Sequence, residues 1–436
     1  MNNHHLTLSQ IHYLTSKENR LSFLPINLYI KGKQIKISKP LIIYMKWINK
    51  DNRLPIKSWC ENVEAEAMVQ AQNLANHPET FHHIALMPDC HSGYGMPIGG
   101  VIACEEAIIP NAVGVDIGCG MCAVKTTYNA SDINESMIKQ IIGTLRNKIP
   151  VGFDHHKREQ NWQGFNNAPD VPIIQQELKS ARKQLGTLGG GNHFIEVQAD
   201  MDGSVWLMVH SGSRNFGYKI AREYNSIAQK HCERYRSIKI PLKGENGLAF
   251  LPLNTKEAKE YILTMNFALS FARENRRLMM SHLKNAASEV LGCSFDNEIN
   301  IHHNFAVEET HFKKKVWIHR KGATEAKYNQ MGIIPGSMGT ASYITKGLGN
   351  PESYSSCSHG AGRIISRSQF NKTYTIEECN KAMEGIVFGR WNRDRKGRVD
   401  ISEAPQAYKD IDAVMESQND LVEIVVKLKP LGVMKG

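Results

Sequence analysis

Val113-Gly114-Val115-Asp116-Ile117-Gly118-Cys119-Gly120-Met121-Cys122 sets a carboxylate and two thiols into a stretch with glycine at three positions. Glycine lets the backbone turn sharply and come close to a ligand. The stretch follows an apolar run that reads as a strand, and Met121 to Thr127 reads as another, so the polar groups fall at a strand junction. Two chemistries fit these residues. Cys119 and Cys122 suit a redox pair, whereas Asp116 and Cys119 suit a metal centre.

Outward from that junction, helix and strand signals mix without regular alternation. Ile98 to Cys104 reads as a strand, and Ile84 to Met87 as a strand running into the polar glycine loop Pro88–Gly95. Val63, Ala67, Met68 and Ala71 repeat at helical spacing within Glu61–His77, which Pro78 stops. Ser131-Asp132 can cap a helix whose apolar face is Met137, Ile138, Ile141, Ile142 and Leu145. A further helix precedes Leu185, and Val205 to His210 is a short apolar strand. The longest helical run, Thr255 to Leu291, is capped by Thr255 and stopped by Gly292. Short strands and glycine loops follow, with Leu421 to Leu428 as the last strand. This pattern predicts an α+β fold: one large mixed-sheet domain over 45–436, with a helical insertion at about 217–292. Residues 1–44 lack periodicity and read as an N-terminal appendage, with Met45 a reasonable start of the core.

At 436 residues, a sizeable core is assured. The 53 Lys and Arg against 43 Asp and Glu leave a net charge of +10, which suits an anionic partner such as nucleic acid. Nine irregularly spaced cysteines resemble no disulfide framework and point to a reducing, cytoplasmic setting. No signal peptide and no membrane span is readable.

Histidine context favours the metal reading of the junction. His193 follows three glycines and Asn192, and His210 ends an apolar strand. His303 precedes Asn304, and His359 opens His359-Gly360-Ala361-Gly362. Strand ends and loops of this kind carry chemistry on a rigid scaffold. With Asp116 and Cys119 they form an imidazole, thiolate and carboxylate set that suits Mn, Fe, Co or Zn, with room for two ions sharing the thiolate. The loops Gly189–Gly191, Gly332–Gly339 and Gly360–Gly362 can aim backbone N–H groups at phosphate, and none is a P-loop. Arg214, Arg363 and Arg367 stand near these loops and can fork onto phosphates. Arg390, Arg393, Arg395, Lys396 and Arg398 form a basic cluster beside Trp391.

Seven blocks in order, GVDIGCGM, GGGNHFIE, HSGSRNFG, HHNFAVEE, HRKGATEA, PGSMGTASY and SHGAGRIISR, resemble the RtcB family of tRNA-splicing RNA ligases, from about Met87 to Gly436. The resemblance implies an RtcB-type domain that joins RNA 3′-phosphate or 2′,3′-cyclic phosphate ends to 5′-hydroxyl ends, using GTP and two Mn2+ per subunit. It implies one metal on Asp116, Cys119 and His193, and a second on Cys119, His210 and His303. His359 matches the histidine that becomes covalently guanylylated. The implied guanylate contacts are Asn192, His193, Phe194, Ile195, Glu196, His303, Asn304, Pro335, Gly336, Ser337, Met338, Ser342, His359, Gly360, Ala361, Gly362 and Lys435, with Tyr408 stacking on the base. Arg214 and Arg367 match RNA-binding positions. The chain departs from the family pattern at Cys90-His91-Ser92-Gly93-Tyr94-Gly95, at Cys122 and in its first 44 residues, which leaves tRNA splicing and RNA repair both open. Two other readings suit the same residues: a metal-dependent RNA phosphodiesterase or cyclic phosphatase, and a metal-stabilised RNA-binding protein. Covalent guanylylation separates both from a ligase.

Overall fold

The computed structural model describes residues 27–30, 33–36, 45–234, 241–244, 247–393 and 397–436. Of the expected appendage at 1–44, only the hairpin Asn27–Ile30 with Lys33–Lys36 lies among them, and Arg395 and Lys396 of the basic cluster lie outside.

Two sheets carry the structure. The first runs, in spatial order, Asn304–His311, Lys314–Lys321, Ile98–Cys104, Thr80–His91, Ile56–Ser58 and Trp47–Asn49. The second runs Ile299–His302, Gly120–Asn129, Ser204–Ser211, Phe194–Asp200, Val422–Lys435, Ser342–Gly347 and Met331–Ile334, with Val387–Phe388 parallel to the long strand Val422–Lys435. Nearly all pairings are antiparallel, and the mixture of helices and sheets is α+β as expected. The chain passes from one sheet to the other at His303, which separates Ile299–His302 from Asn304–His311.

The segment read as an insertion, about 217–292, carries the helices Arg214–His231 and Lys256–Leu291. The longer helix is bounded as its sequence predicts: the Thr255 side chain accepts from the Ala258 N–H, and Gly292 ends it at φ 64. Its Met279, Met280, Leu283, Ala286 and Ala287 pack with Cys122, Val124, Leu207 and Val209 of the second sheet. Helix Glu135–Lys148 joins the same core through Ile138, Ile141, Ile142 and Leu145.

Several local expectations need correction. Helix Glu135–Lys148 is capped by Asn134, since Ser131 is spent in a turn on the Asn129 side chain. The apolar run before the Asp116 loop is a two-residue strand, Ala107–Ile108, followed by a helical turn at Pro110–Ala112. Strand Thr80–His91 continues through Pro88-Asp89 by shifting register between Leu86 and His91. The last strand extends past Leu428 to Lys435, because an irregularity between Pro430 and Gly432 absorbs the proline. Among the described residues beyond Gly360 lie three short α-helices, each opened by a side-chain cap at Ser366, Thr375 or Asp410. No helix among the described residues is long and apolar enough to cross a membrane.

Candidate active site

The Asp116–Gly120 loop lies where the two sheets meet. The Gly118 N–H donates to Asn304 O (2.8 Å), and the His303 N–H donates to Cys119 O (2.8 Å). Both glycines that flank Cys119 are required by space. Gly118 has φ +73 and lies against Ala272 of the long helix, and any side chain at Gly120 would strike the Ile301 carbonyl. That helix also sends fully buried Arg276 beneath the loop, where its guanidinium donates to Gly118 O (2.7 Å) and Ser211 O (2.9 Å). Its neighbour Asn275 accepts from the Gly186 and Thr187 N–H groups and donates to Gly212 O. One helix turn thus holds three of the loops that shape the site.

Four potential ligands, Asp116, His193, His210 and His303, converge on Cys119. Its Sγ lies 3.4 Å from Nε2 of His193 and 3.4 Å from Nε2 of His210. His210 Nε2 is 3.4 Å from His303 Nε2, and His193 Nε2 is 3.2 Å from Asp116 Oδ2. Two overlapping sets result, Cys119 with His210 and His303, and Cys119 with Asp116 and His193, each with its ligand atoms within 4.8 Å of one another. Backbone carbonyls select the tautomers. His193 Nδ1–H donates to Leu188 O (2.9 Å) and His210 Nδ1–H to Asn192 O (3.1 Å), which turns both Nε2 lone pairs toward the thiol. Burial, then Asp116, pushes the Cys119 thiol well up from its ordinary range, and burial lowers His193, His210 and His303. Neutral imidazoles are the form a metal takes up, and a bound cation ionises the thiol. The donor set therefore fits two transition-metal ions bridged by one thiolate.

Cys122 has no place in this cluster. It sits in the core with Ile195 and Leu207, on the side away from the Cys119 cluster, which favours the metal reading of Cys119 over a redox pair.

His359 stands beside the ligands, its ring centroid 4.8 Å from that of His303. The ribbon Ala323–Glu325 with Ser356–Ser358 delivers it. Its Nδ1–H donates to Asp89 Oδ2 (2.6 Å), and the same oxygen accepts from the N–H groups of His359 (3.1 Å) and Gly360 (3.2 Å). Lys409 braces this carboxylate's peptide from behind by donating to Pro88 O and Cys90 O. His359 Nε2 is left for chemistry.

Glu196, Ser342 and Lys435 gather in the second sheet. Gln198 Nε2 donates to both Glu196 Oε2 (2.6 Å) and Ser342 Oγ (3.1 Å). Lys435 Nζ donates to Glu403 Oε2 (3.3 Å) and lies 5.8 Å from the Phe194 ring. The Pro335–Met338 loop comes close to the His359 loop, since a side chain at Gly360 would sit 3.3 Å from Pro335 O. Ser337 bonds Thr340 within that loop, and Met338 is buried against Met121 and Phe194.

Other expected contacts lie differently. The Ile195 side chain points to the opposite face, into the core, as strand alternation requires, so only its backbone faces Phe194 and Glu196. The Ala361 side chain is likewise buried in a core cluster. Asn304 spends its amide between Asp116 O and the Gly322 N–H, bracing the metal loop. The Arg363 guanidinium, read as a phosphate fork, is committed to Ile365 O, Ser402 O and Glu403. Tyr408 donates to Glu403 and has Arg363 over its ring, at 5.1 Å. Arg367 also bonds Glu403 (2.8 Å) but lies 3.5 Å from where a side chain at Gly191 would project. Arg214, held at φ 58 at a helix start, packs on Gly189 and the His193 ring.

Sequence reading missed Asp89, Gln198, Glu403, Asn275 and Arg276. Asp89 had one usable signal, a carboxylate at the end of an apolar strand.

The family profile described as tRNA-splicing ligase RtcB matches residues 70–436. The chain is 39% identical over 410 residues to RNA-splicing ligase RtcB1 of Escherichia coli strain ATCC 25922, covering 88% of this chain and 97% of that protein. It is 38% identical, with the same coverage, to RNA-splicing ligase RtcB of Escherichia coli K12. The tRNA-splicing ligase RtcB of Pyrobaculum aerophilum is 31% identical over 469 residues, covering 88% of this chain and 95% of that protein.

Proposed function

Since the chain belongs to the RtcB family of RNA-splicing ligases, we propose that it joins RNA 3′-phosphate or 2′,3′-cyclic phosphate ends to 5′-hydroxyl ends, with GTP as co-substrate and Mn2+ as cofactor. The observation that carries this reading is the placement of His359, oriented by Asp89, beside five metal-capable side chains that share Cys119.

Asp116, Cys119 and His193 would hold one ion, and Cys119, His210 and His303 the other. Bound there, such ions supply charge neutralisation for phosphoryl oxygens. The remaining steps fall to the chain itself. Asp89 keeps the His359 proton on Nδ1, so Nε2 attacks the α-phosphorus of GTP and pyrophosphate leaves, giving a phosphoramidate-linked GMP. The carboxylate stabilises the positive charge that grows on the ring. Water first breaks the P–O2′ bond of any 2′,3′-cyclic end to leave a 3′-phosphate and a 2′-hydroxyl. That phosphate takes the guanylyl group from His359, whose P–N bond breaks, and the 5′-hydroxyl then attacks the activated phosphorus and releases GMP. Glu196, Ser342 and Lys435 would hold the guanine, with Tyr408 at the edge of the pocket. Arg214 and Arg367 would meet the RNA phosphates. Nine free, buried thiols support a cytoplasmic setting.

Incubation with Mn2+, GTP and RNA fragments bearing the two end types should yield joined product. His359→Ala should abolish covalent transfer of label from α-labelled GTP. Persistent labelling of that variant would overturn the assignment.

A further inference from the structure

Two buried acceptors in the Glu196 region have no hydrogen-bond partner among the described residues: Glu196 Oε1 and Gln198 Oε1. Both residues are essentially fully buried, at 1% and 0% exposure. They are alternate residues of strand Phe194–Asp200, so they share a face. An acceptor left bare in a core costs stability unless a ligand supplies the donor.

The donors that Gln198 does make decide what such a ligand must look like. Its amide nitrogen has two hydrogens, and Glu196 Oε2 and Ser342 Oγ each lie within hydrogen-bond distance of it, at 2.6 and 3.1 Å. Because the Ser342 oxygen accepts from Gln198, its own hydroxyl proton is free to point away and donate. Because Glu196 Oε2 is taken, the second oxygen, Oε1, is the one left to accept. The pocket therefore presents acceptors beside two donors, the Ser342 hydroxyl and the Lys435 ammonium. Guanine carries the complement on one edge, with N1–H and N2–H donors next to the O6 acceptor. Adenine carries an unprotonated N1 and an N6 amine there, and is mismatched at both places.

We propose that Gln198 is a positioning residue that sets base selectivity by fixing Glu196 as acceptor and Ser342 as donor. This deepens the proposed use of GTP and rests on that reading for its ligand. The test is calorimetric binding of GMP, IMP and AMP to the full chain, run alongside covalent labelling by α-labelled GTP. Wild type should bind GMP better than AMP, with IMP between them because it lacks the 2-amino donor. Gln198→Leu should weaken GMP by about tenfold or more, the range for a lost bond to a charged group, and leave AMP unchanged. Gln198→Glu places an acceptor where the amide donated, which repels Glu196 and turns the Ser342 proton inward, so it should lower GMP affinity further. GMP preference retained within threefold in both variants would overturn the proposal. So would an equal loss for GMP and AMP, which marks a purely structural role. Gln198→Met serves if Gln198→Leu fails to fold. The two readings fail separately. GMP-selective binding without any covalent label would remove the ligase mechanism and leave the pocket assignment standing. Labelling by a wild type that binds GMP and AMP alike would do the reverse.

Discussion

Replacing Asp89 with asparagine isolates the charge that stands behind the proposed nucleophile. The carboxylate is fully buried, and its Oδ2 lies 2.6 Å from His359 Nδ1, whose side chain is 15% exposed. When Nε2 forms a bond to phosphorus, the ring becomes cationic. A full carboxylate charge about 4 Å from the delocalised ring charge is worth about 4 kcal/mol at an effective dielectric near 20. Asparagine should keep its oxygen in place, because the N–H groups of His359 and Gly360 both require an acceptor there. A neutral hydrogen bond of about 1 kcal/mol then survives. The difference, about 3 kcal/mol, is roughly two decades in rate. The assay is the single-turnover rate of covalent label transfer from α-labelled GTP at saturating GTP and Mn2+, with bound manganese measured in parallel. A rate within threefold of wild type would refute the assigned role of Asp89. So would a slow rate explained by lost metal.

Cys119→Ala should strip manganese from the protein, whereas Cys122→Ala should retain it; equal losses on dialysis and elemental analysis would contradict the shared-thiolate site. Burial pushes Glu196 up to about 8, against the opposing pull of Lys435 and Gln198. Its acceptor form is the deprotonated one, so GMP affinity should climb from pH 6 toward 9 and level off above about 8; a flat calorimetric profile would remove Glu196 as the base acceptor. Burial alone would raise Glu403, but Lys435, Arg367 and Arg363 outweigh it and hold the group down at about 2. A depressed carboxyl contributes stability above its unfolded value near 4.5 and loses it as pH falls toward 2. Glu403→Gln should therefore lower unfolding free energy by about 3 kcal/mol at pH 7, with the gap to wild type narrowing below about pH 4.5 in urea titrations.

Elements defined by local chemistry were legible in the sequence. The Lys256–Leu291 helix announced itself through a threonine cap, a long apolar period and a terminal glycine, all read within one segment. The metal-capable residues were legible for a similar reason, since each sits in a glycine-rich loop or at a strand end. What escaped were pairings between distant segments. Asp89 and His359 are 270 positions apart, and nothing near Pro88 signals that a strand there will face a histidine loop. Arg276 and Asn275 looked like ordinary polar positions on a helix until the loops they hold were in place. Arg363 shows the converse error. Nearness to a glycine loop suggested phosphate, but the side chain turns to Glu403, a partner 40 positions away.

Strand Val422–Lys435 is the last of the described strands, yet it lies between Phe194–Asp200 and Ser342–Gly347 in the middle of its sheet. On the ribosome, those two neighbours are made first and carry unpaired edges until it arrives. The five residues of the Cys119 cluster all precede it, so they can assemble while the second sheet still lacks one of its central strands. Pairings this distant in sequence form slowly. Synthesis of the C-terminal segment is thus the stage at which the chain is most open to edge-to-edge aggregation, and the stage at which a chaperone has most to protect.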